Sequence, residues 1–216
     1  MSASAAAAAS PLQLNVRALH LWRGDNHLLR GVSFTLASGE LLQVVGPNGV
    51  GKTSLLRCVA GLMPVESGEI RWGGQTIDQA REDFHQRLAY LAHNNALKPE
   101  LTALENLRYA IAVRRSVAGS ELGDVLARLQ ISACADLPAR ALSAGQKRRL
   151  ALARILLTQA PLWILDEPIT NLDADGVALF ESCMAEHLSA GGRVLAAAHQ
   201  LLLEGHERVR TLELRR

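Results

Sequence analysis

The chain has 216 residues, 49 % hydrophobic, 20 % charged and 4 % aromatic, with 23 Lys plus Arg against 21 Asp plus Glu for a net charge of +2. That length can bury a sizeable core, and the balance excludes a disordered chain, a collagen and a disulfide scaffold. It lacks the strong basic excess that marks a nucleic-acid binder, so no nucleic-acid partner is expected.

Met1 to Pro11 is alanine-rich without a basic n-region, and a disordered leader is expected there. Leu12 to Leu21 alternates weakly as a strand does, Gly24-Asp25-Asn26 marks a turn, and Gly31 to Leu36 reads as a second strand. Leu41 to Val45 is a short apolar run suited to a buried parallel strand. A glycine-rich turn and a helix from about Lys52 to Leu62 follow, then strands at Glu69 to Trp72 and Leu88 to Ala92. From about Thr102 to Leu137 the period is helical, with Leu104, Leu107 and Ile111 on the face of one helix and Leu122, Val125, Leu126 and Leu129 making a second; after Leu142 a third helix runs to about Thr158. Leu162 to Leu165 is an apolar strand, Gly176 to Leu188 a helix, and Val194 to Ala198 the last apolar strand expected. Strands alternating with helices predict an α/β sheet, with a helical subdomain inserted in the middle. No run reaches the roughly 18 apolar residues of a membrane span. The nearest, Leu150 to Leu165, is broken by Arg154, Gln159 and Pro161, so a soluble chain that can dock on a membrane partner is expected. Cys58, Cys134 and Cys183 are far apart and form no C-x-x-C pair, which predicts reduced, buried thiols. His20, His27, His85, His187 and His206 form no sequence cluster and read as ordinary surface or core residues.

Gly46-Pro47-Asn48-Gly49-Val50-Gly51-Lys52-Thr53 matches G-x-x-x-x-G-K-[ST] between a strand and a helix. A chance match in a chain this long is on the order of 1 %. The glycines let successive backbone N–H groups turn towards phosphate oxygens, and the helix dipole adds to that anion site. Lys52 would reach the β- and γ-phosphates, Thr53 would ligate Mg²⁺, and Ser54 would bond a further phosphate oxygen. Farther along, Leu162-Trp163-Ile164-Leu165-Asp166-Glu167 delivers two carboxylates at the end of an apolar strand, the edge where open α/β sheets bind ligands. Asp166 would hold Mg²⁺ and Glu167 would orient or deprotonate the attacking water. Either motif alone has a bland reading, a glycine turn or an acidic helix cap; together they point to nucleotide hydrolysis.

Leu142-Ser143-Ala144-Gly145-Gln146 resembles the signature motif of the ATP-binding cassette (ABC) ATPases, with Ala144 where glycine is usual. Asn171-Leu172-Asp173 after Asp166-Glu167-Pro168 resembles the family's D-loop, and His199 after an apolar strand resembles its switch histidine. The resemblance covers roughly Leu12 to Gln200. It implies a RecA-like P-loop core with an N-terminal antiparallel β region, residues 12–95 and 150–216 forming the catalytic part and about 96–149 the helical subdomain. It implies ATP and Mg²⁺ as ligands, catalytic roles for Lys52, Glu167 and His199, and a head-to-tail dimer. In that dimer Ser143, Gly145 and Gln146 serve the nucleotide of a second copy, with Asp173 at the seam. Two positions depart from the family. The Q-loop glutamine is replaced by His93 or Asn94, and His93 would then bond water or a metal-bound oxygen. The adenine-stacking aromatic falls near Trp22-Arg23; Trp22 is the only aromatic there, while the spacing from Gly31 favours Arg23.

Within the family, Tyr90-Leu91-Ala92-His93-Asn94, Leu101-Thr102-Ala103-Leu104-Glu105-Asn106-Leu107 and the Ser143-Ala144-Gly145 signature resemble the haem-exporter ATPases of cytochrome c biogenesis. That implies an ATPase subunit bound to separate integral-membrane subunits on the cytoplasmic face of the inner membrane. The alternative within the class is a subunit of another ABC exporter. Repair ATPases place a long coiled coil between the two motifs, whereas only about 90 residues separate Lys52 from Ser143 here, without sustained heptads. Translation factors of the class carry two cassettes. A haem-binding chaperone would need a Cys-Pro pair or a histidine cluster, and the sequence has neither.

Overall fold

The computed structural model describes residues 12–215, and the leader expected over residues 1–11 lies outside them. The chain runs through β1 (Leu14–Arg23), β2 (Asn26–Leu36), β3 (Leu41–Val45), α1 (Lys52–Val59), β4 (Ser67–Trp72), β5 (Gln75–Thr76), α2 (Arg81–Gln86) and β6 (Leu88–Leu91). It continues through α3 (Ala103–Ala112), α4 (Gly119–Arg128), α5 (Ala144–Thr158), β7 (Leu162–Asp166), α6 (Ala174–Ser189), β8 (Arg193–Ala197) and β9 (Val209–Glu213). One sheet is antiparallel, in the order β2-β1-β4-β5; the other is parallel, in the order β6-β7-β8-β3-β9. This is the expected α/β P-loop architecture. β7 and β8 are buried along their whole length and β3 at four of its five residues, which is why their sequences are apolar runs rather than alternations.

Two apolar clusters fill the molecule. One lies between the two sheets and α1, around Leu14, Leu36, Val44, Leu55, Leu56 and Ile164. The other joins α3, α4 and α5 to the far face of the parallel sheet, from Leu107, Leu122 and Leu126 through Leu152 to Trp163 and Phe180. The middle helices therefore share their core with α5 and α6. All three cysteines are free and buried, and burial together with the charge of Glu66 pushes the Cys58 thiol up to about 11.

The structure corrects the sequence reading at three places. β8 is not the last strand: β9 pairs parallel with β3 at the sheet edge. Its segment Val-Arg-Thr-Leu-Glu is polar and half exposed, so it carries little apolar signal. α2 and β5 were not expected, both being too short for a period to show. Finally, α1 stops at Val59, because Gly61 turns the chain with φ +68°. The two helices expected between Thr102 and Leu137 are α3 and α4; between them Arg115 turns back to donate to the Leu157 carbonyl (2.9 Å) and to pair with Glu121.

Candidate active site

Strand order decides what meets at the carboxyl edge of the parallel sheet. β8 lies between β3 and β7, with Val44 and Asp166 both in register with Ala197, and Leu91 of β6 pairs with Leu165. The segments leaving β3, β6, β7 and β8 therefore emerge side by side. They line a cleft of about 470 Å³ with Arg23, Leu28, Asn48, Gly49, Gly51, Lys52, Thr53, Ser54, Arg57, His93, Glu167 and His199 on its walls.

The loop from Gly46 to Gly51 needs its glycines. Gly46 has φ +144°, and a Cβ there would sit 2.6 Å from the Leu214 carbonyl oxygen. Gly51 caps α1 in the left-handed region and lies under Leu28, 3.0 Å from where its Cβ would be. Val50 is buried and anchors the loop. Lys52 is 8 % exposed, and its ammonium donates to the carbonyls of Gly46 (2.7 Å) and Pro47 (3.3 Å), which centres a fixed positive charge in the loop. The first turn of α1 thus opens on the cleft with free N–H groups and a cation, an anion site by construction.

Asp166 closes the floor. Its Oδ1 accepts from the Thr53 hydroxyl at 3.1 Å, while its Oδ2 is buried with no hydrogen-bond partner among the described residues. A buried carboxylate oxygen left unpaired is costly. Beside a hydroxyl, it is the chemistry that a hard divalent cation with oxygen ligands satisfies. No group of three or more His, Cys, Asp or Glu side chains gathers among the described residues. Any cation here would complete its shell from phosphate and water.

Glu167 follows with φ +51°, a left-handed conformation unusual for a glutamate. Its N–H donates to the Ala197 carbonyl at 2.8 Å, and its carboxylate stands 3.5 Å from His199 Nε2. The strained turn lifts the carboxylate off the β7 axis and into the cleft.

The family described as ABC transporter matches residues 29–170. Over 194 residues the chain is 46 % identical to the cytochrome c biogenesis ATP-binding export protein CcmA of Methylococcus capsulatus, spanning 89 % of this chain and 94 % of that protein. The chain belongs to the ABC transporter family. It is also 42 % identical over 201 residues to the CcmA of Escherichia coli (strain K12), covering 93 % of this ABC chain and 96 % of that protein. Among solved structures, an ATP-binding subunit of an ABC transporter aligns with TM-score 0.83 at 25 % identity, over 93 % of this chain and 85 % of that one. A putative ABC transporter ATP-binding protein from Pyrococcus furiosus aligns with TM-score 0.81 at 24 % identity, over 93 % and 97 %, and supports the fold.

Other residues of this ABC cassette lie away from the cleft walls. Ser143 caps α5, accepting from the Gln146 N–H (3.2 Å) while its own N–H donates to Gln146 Oε1 (2.8 Å), a reciprocal capping box. Gly145 packs where a Cβ would lie 3.0 Å from the Asn171 carbonyl oxygen. Asp173 caps α6 and binds Arg149 at 2.7 Å; that guanidinium, with the Gly176 N–H, holds its carboxyl below the usual range. Trp22 is also off the walls: its ring lies flat on His27, centroids 3.9 Å apart, and Arg23 and Leu28 face the cleft instead. Asn94 is exposed, whereas Asn95 Oδ1 accepts from Arg148 at 2.9 Å.

Two buried residues that shape the cleft were missed from sequence. Gln43, in the middle of β3, donates to the carbonyls of Ala198 (3.3 Å) and Gln200 (2.7 Å) and accepts from the Leu202 N–H (3.0 Å), which pins the segment carrying His199. Arg148, 1 % exposed, lies under Glu167. A lone glutamine in Leu-Leu-Gln-Val-Val, and an arginine on the helix face of Ala151, Leu152 and Ile155, were the available signals.

Proposed function

We propose that this chain is the ATP-hydrolysing subunit of an ABC export complex of cytochrome c biogenesis, moving haem or driving release of a haem-loaded chaperone. Two relatives named as CcmA export proteins, matched over nearly their whole length, support the subfamily. The observation that carries the activity is the convergence, in one cleft, of the Lys52 loop, the unpaired Asp166 oxygen and the Glu167–His199 pair.

In this reading the loop N–H groups and Lys52 bind the phosphates of ATP, and Ser54 bonds a further phosphate oxygen. Thr53 and Asp166 would hold Mg²⁺, which neutralises charge on the phosphate oxygens when bound. Glu167 orients water and takes its proton, giving ADP and phosphate, and His199 contacts the γ-phosphate. His93 contributes a further polar contact from the β6 exit, and Arg23 with Trp22 flanks the base. Ser143, Gly145, Gln146 and Asp173 lie outside the cleft, on the capped ends of α5 and α6. We assign them to the nucleotide of a second copy in a head-to-tail dimer. Among the described residues no helix is long and apolar enough to cross a membrane. The transport path would therefore belong to separate integral-membrane subunits, with this chain on the cytoplasmic face and the helical stretch 96–149 following their motion.

The test is Glu167→Gln. ATP binding should be retained while turnover falls at least ~10²-fold, the scale of a lost general base. Hydrolysis at the parental rate would remove Glu167 from this role.

A further inference from the structure

Arg148 is a buried cation with no carboxylate side chain bonded to it among the described residues. Its guanidinium has five N–H donors, and all five are engaged. Nε donates to the Pro168 carbonyl (2.9 Å), Nη1 to the Ala92 carbonyl (3.2 Å) and Asn95 Oδ1 (2.9 Å), and Nη2 to the Asp166 carbonyl (2.9 Å) and the Glu167 carbonyl. These acceptors come from two different segments, and the arginine itself stands on a third. Ala92 and Asn95 flank His93 on the exit from β6, Asp166 to Pro168 form the exit from β7, and Arg148 lies in the second turn of α5, whose cap is Ser143. Burial pushes the guanidinium down to about 10, against the opposing pull of Asp166 and Glu167, so it stays charged at neutral pH.

The contact with Glu167 matters most. This residue holds a left-handed backbone, φ +51°, which is strained for a glutamate unless its surroundings hold it. Its N–H is anchored on the Ala197 carbonyl, and its carbonyl is anchored by Arg148 together with the Thr170 N–H (3.2 Å). Between those two anchors the carboxylate is aimed at the cleft.

We propose that Arg148 is a positioning residue for hydrolysis: it locks the Glu167 backbone in the turn that presents its carboxylate, and ties that turn to helix α5 and to the segment 92–95. A shift of α5, or of the segment around His93, then reaches the catalytic carboxylate through one rigid planar group. Lysine cannot replace it, because a single ammonium has three donors and no fork to span three segments.

The proposal rests on Glu167 activating water, and the experiment separates the two claims. In the full chain, Arg148→Lys should leave equilibrium binding of a fluorescent ATP analogue within about twofold of the parent. It should lower kcat on the order of 10²-fold with KM for ATP little changed, the scale expected when a catalytic group is displaced by about 1 Å. Should the lysine variant fail to fold, Asn95→Ala removes a single acceptor; it should lower kcat about fivefold at unchanged ATP affinity. Parental kcat in the folded variant overturns the proposal, as does a loss of affinity in step with kcat, which would mark a merely looser fold. Glu167→Gln runs beside it. If that variant hydrolyses ATP at the parental rate, the role of Glu167 fails whatever Arg148 does. If it is inactive while Arg148→Lys is normal, only the positioning role fails.

Discussion

Gln43 places a buried amide in the middle of an otherwise apolar strand, and uses it to hold three backbone groups of the segment after β8. Gln43→Leu keeps the volume but leaves the Leu202 N–H and two carbonyls unpaired. The expected cost is about 1–3 kcal/mol of stability, about 2–4 °C in Tm per kcal/mol for a chain of this size. Activity should fall as well, since His199 lies in the loosened segment; unchanged Tm and rate would contradict this account of Gln43. At this scale the motif residues of the Lys52 loop and the β7 end were legible in the sequence. Gly46, Gly51, Lys52, Thr53, Asp166 and Glu167 owe their identity to local backbone geometry and to the position of a strand end. Gln43 and Arg148 were not, because their partners lie 18 to 159 residues away in the chain and only the fold brings them close. The setting of Trp22 was not legible for a related reason. Its type suggested stacking on a base, but its ring lies on His27, a neighbour supplied by the hairpin partner strand.

Elements were legible where the period was long or the run wholly apolar. β3, β7, β8 and α5 fall close to where the pattern put them, whereas β9, β5 and α2 are short or polar and left no trace. The packing of α6 on the sheet, equally invisible beforehand, yields a pH dependence. His187 on α6 stacks on Trp163 of β7 with ring centroids 3.9 Å apart, and its Nε2 has no partner among the described residues. Burial above all, opposed by a bond with the Arg193 backbone and helped by the charge of the Arg193 guanidinium, brings this imidazole from 6.5 down to about 4. Between those values the unfolded chain binds a proton that the folded chain refuses. The contribution of His187 is thus fully present above about pH 6.5 and is lost as pH falls towards 4, by about 3 kcal/mol. His187→Phe keeps the stacked ring and removes the titration, so Tm should fall less steeply than in the parent between pH 6.5 and 4. Parallel curves would contradict the assignment.

At the scale of the molecule, what organises function is the separation of two kinds of helix start. α1 opens on the Lys52 cleft of its own chain, while α5 and α6, capped by Ser143 and Asp173, lie outside that cleft. Arg148 and Arg149 bind α5 to the segments that leave β6 and β7 and to the cap of α6. In the reading proposed above, each copy carries half of each site on two different surfaces, and two copies in a head-to-tail dimer complete both. That sharing is the central claim, and a mixing experiment tests it most directly. Lys52→Ala and Ser143→Arg each disable both sites of a homodimer, whereas a heterodimer of the two variants contains one intact site. Equal amounts, allowed to exchange, should recover about a quarter of the parental ATPase rate. If the mixture hydrolyses ATP no faster than the sum of the two variants measured apart, the composite site is contradicted.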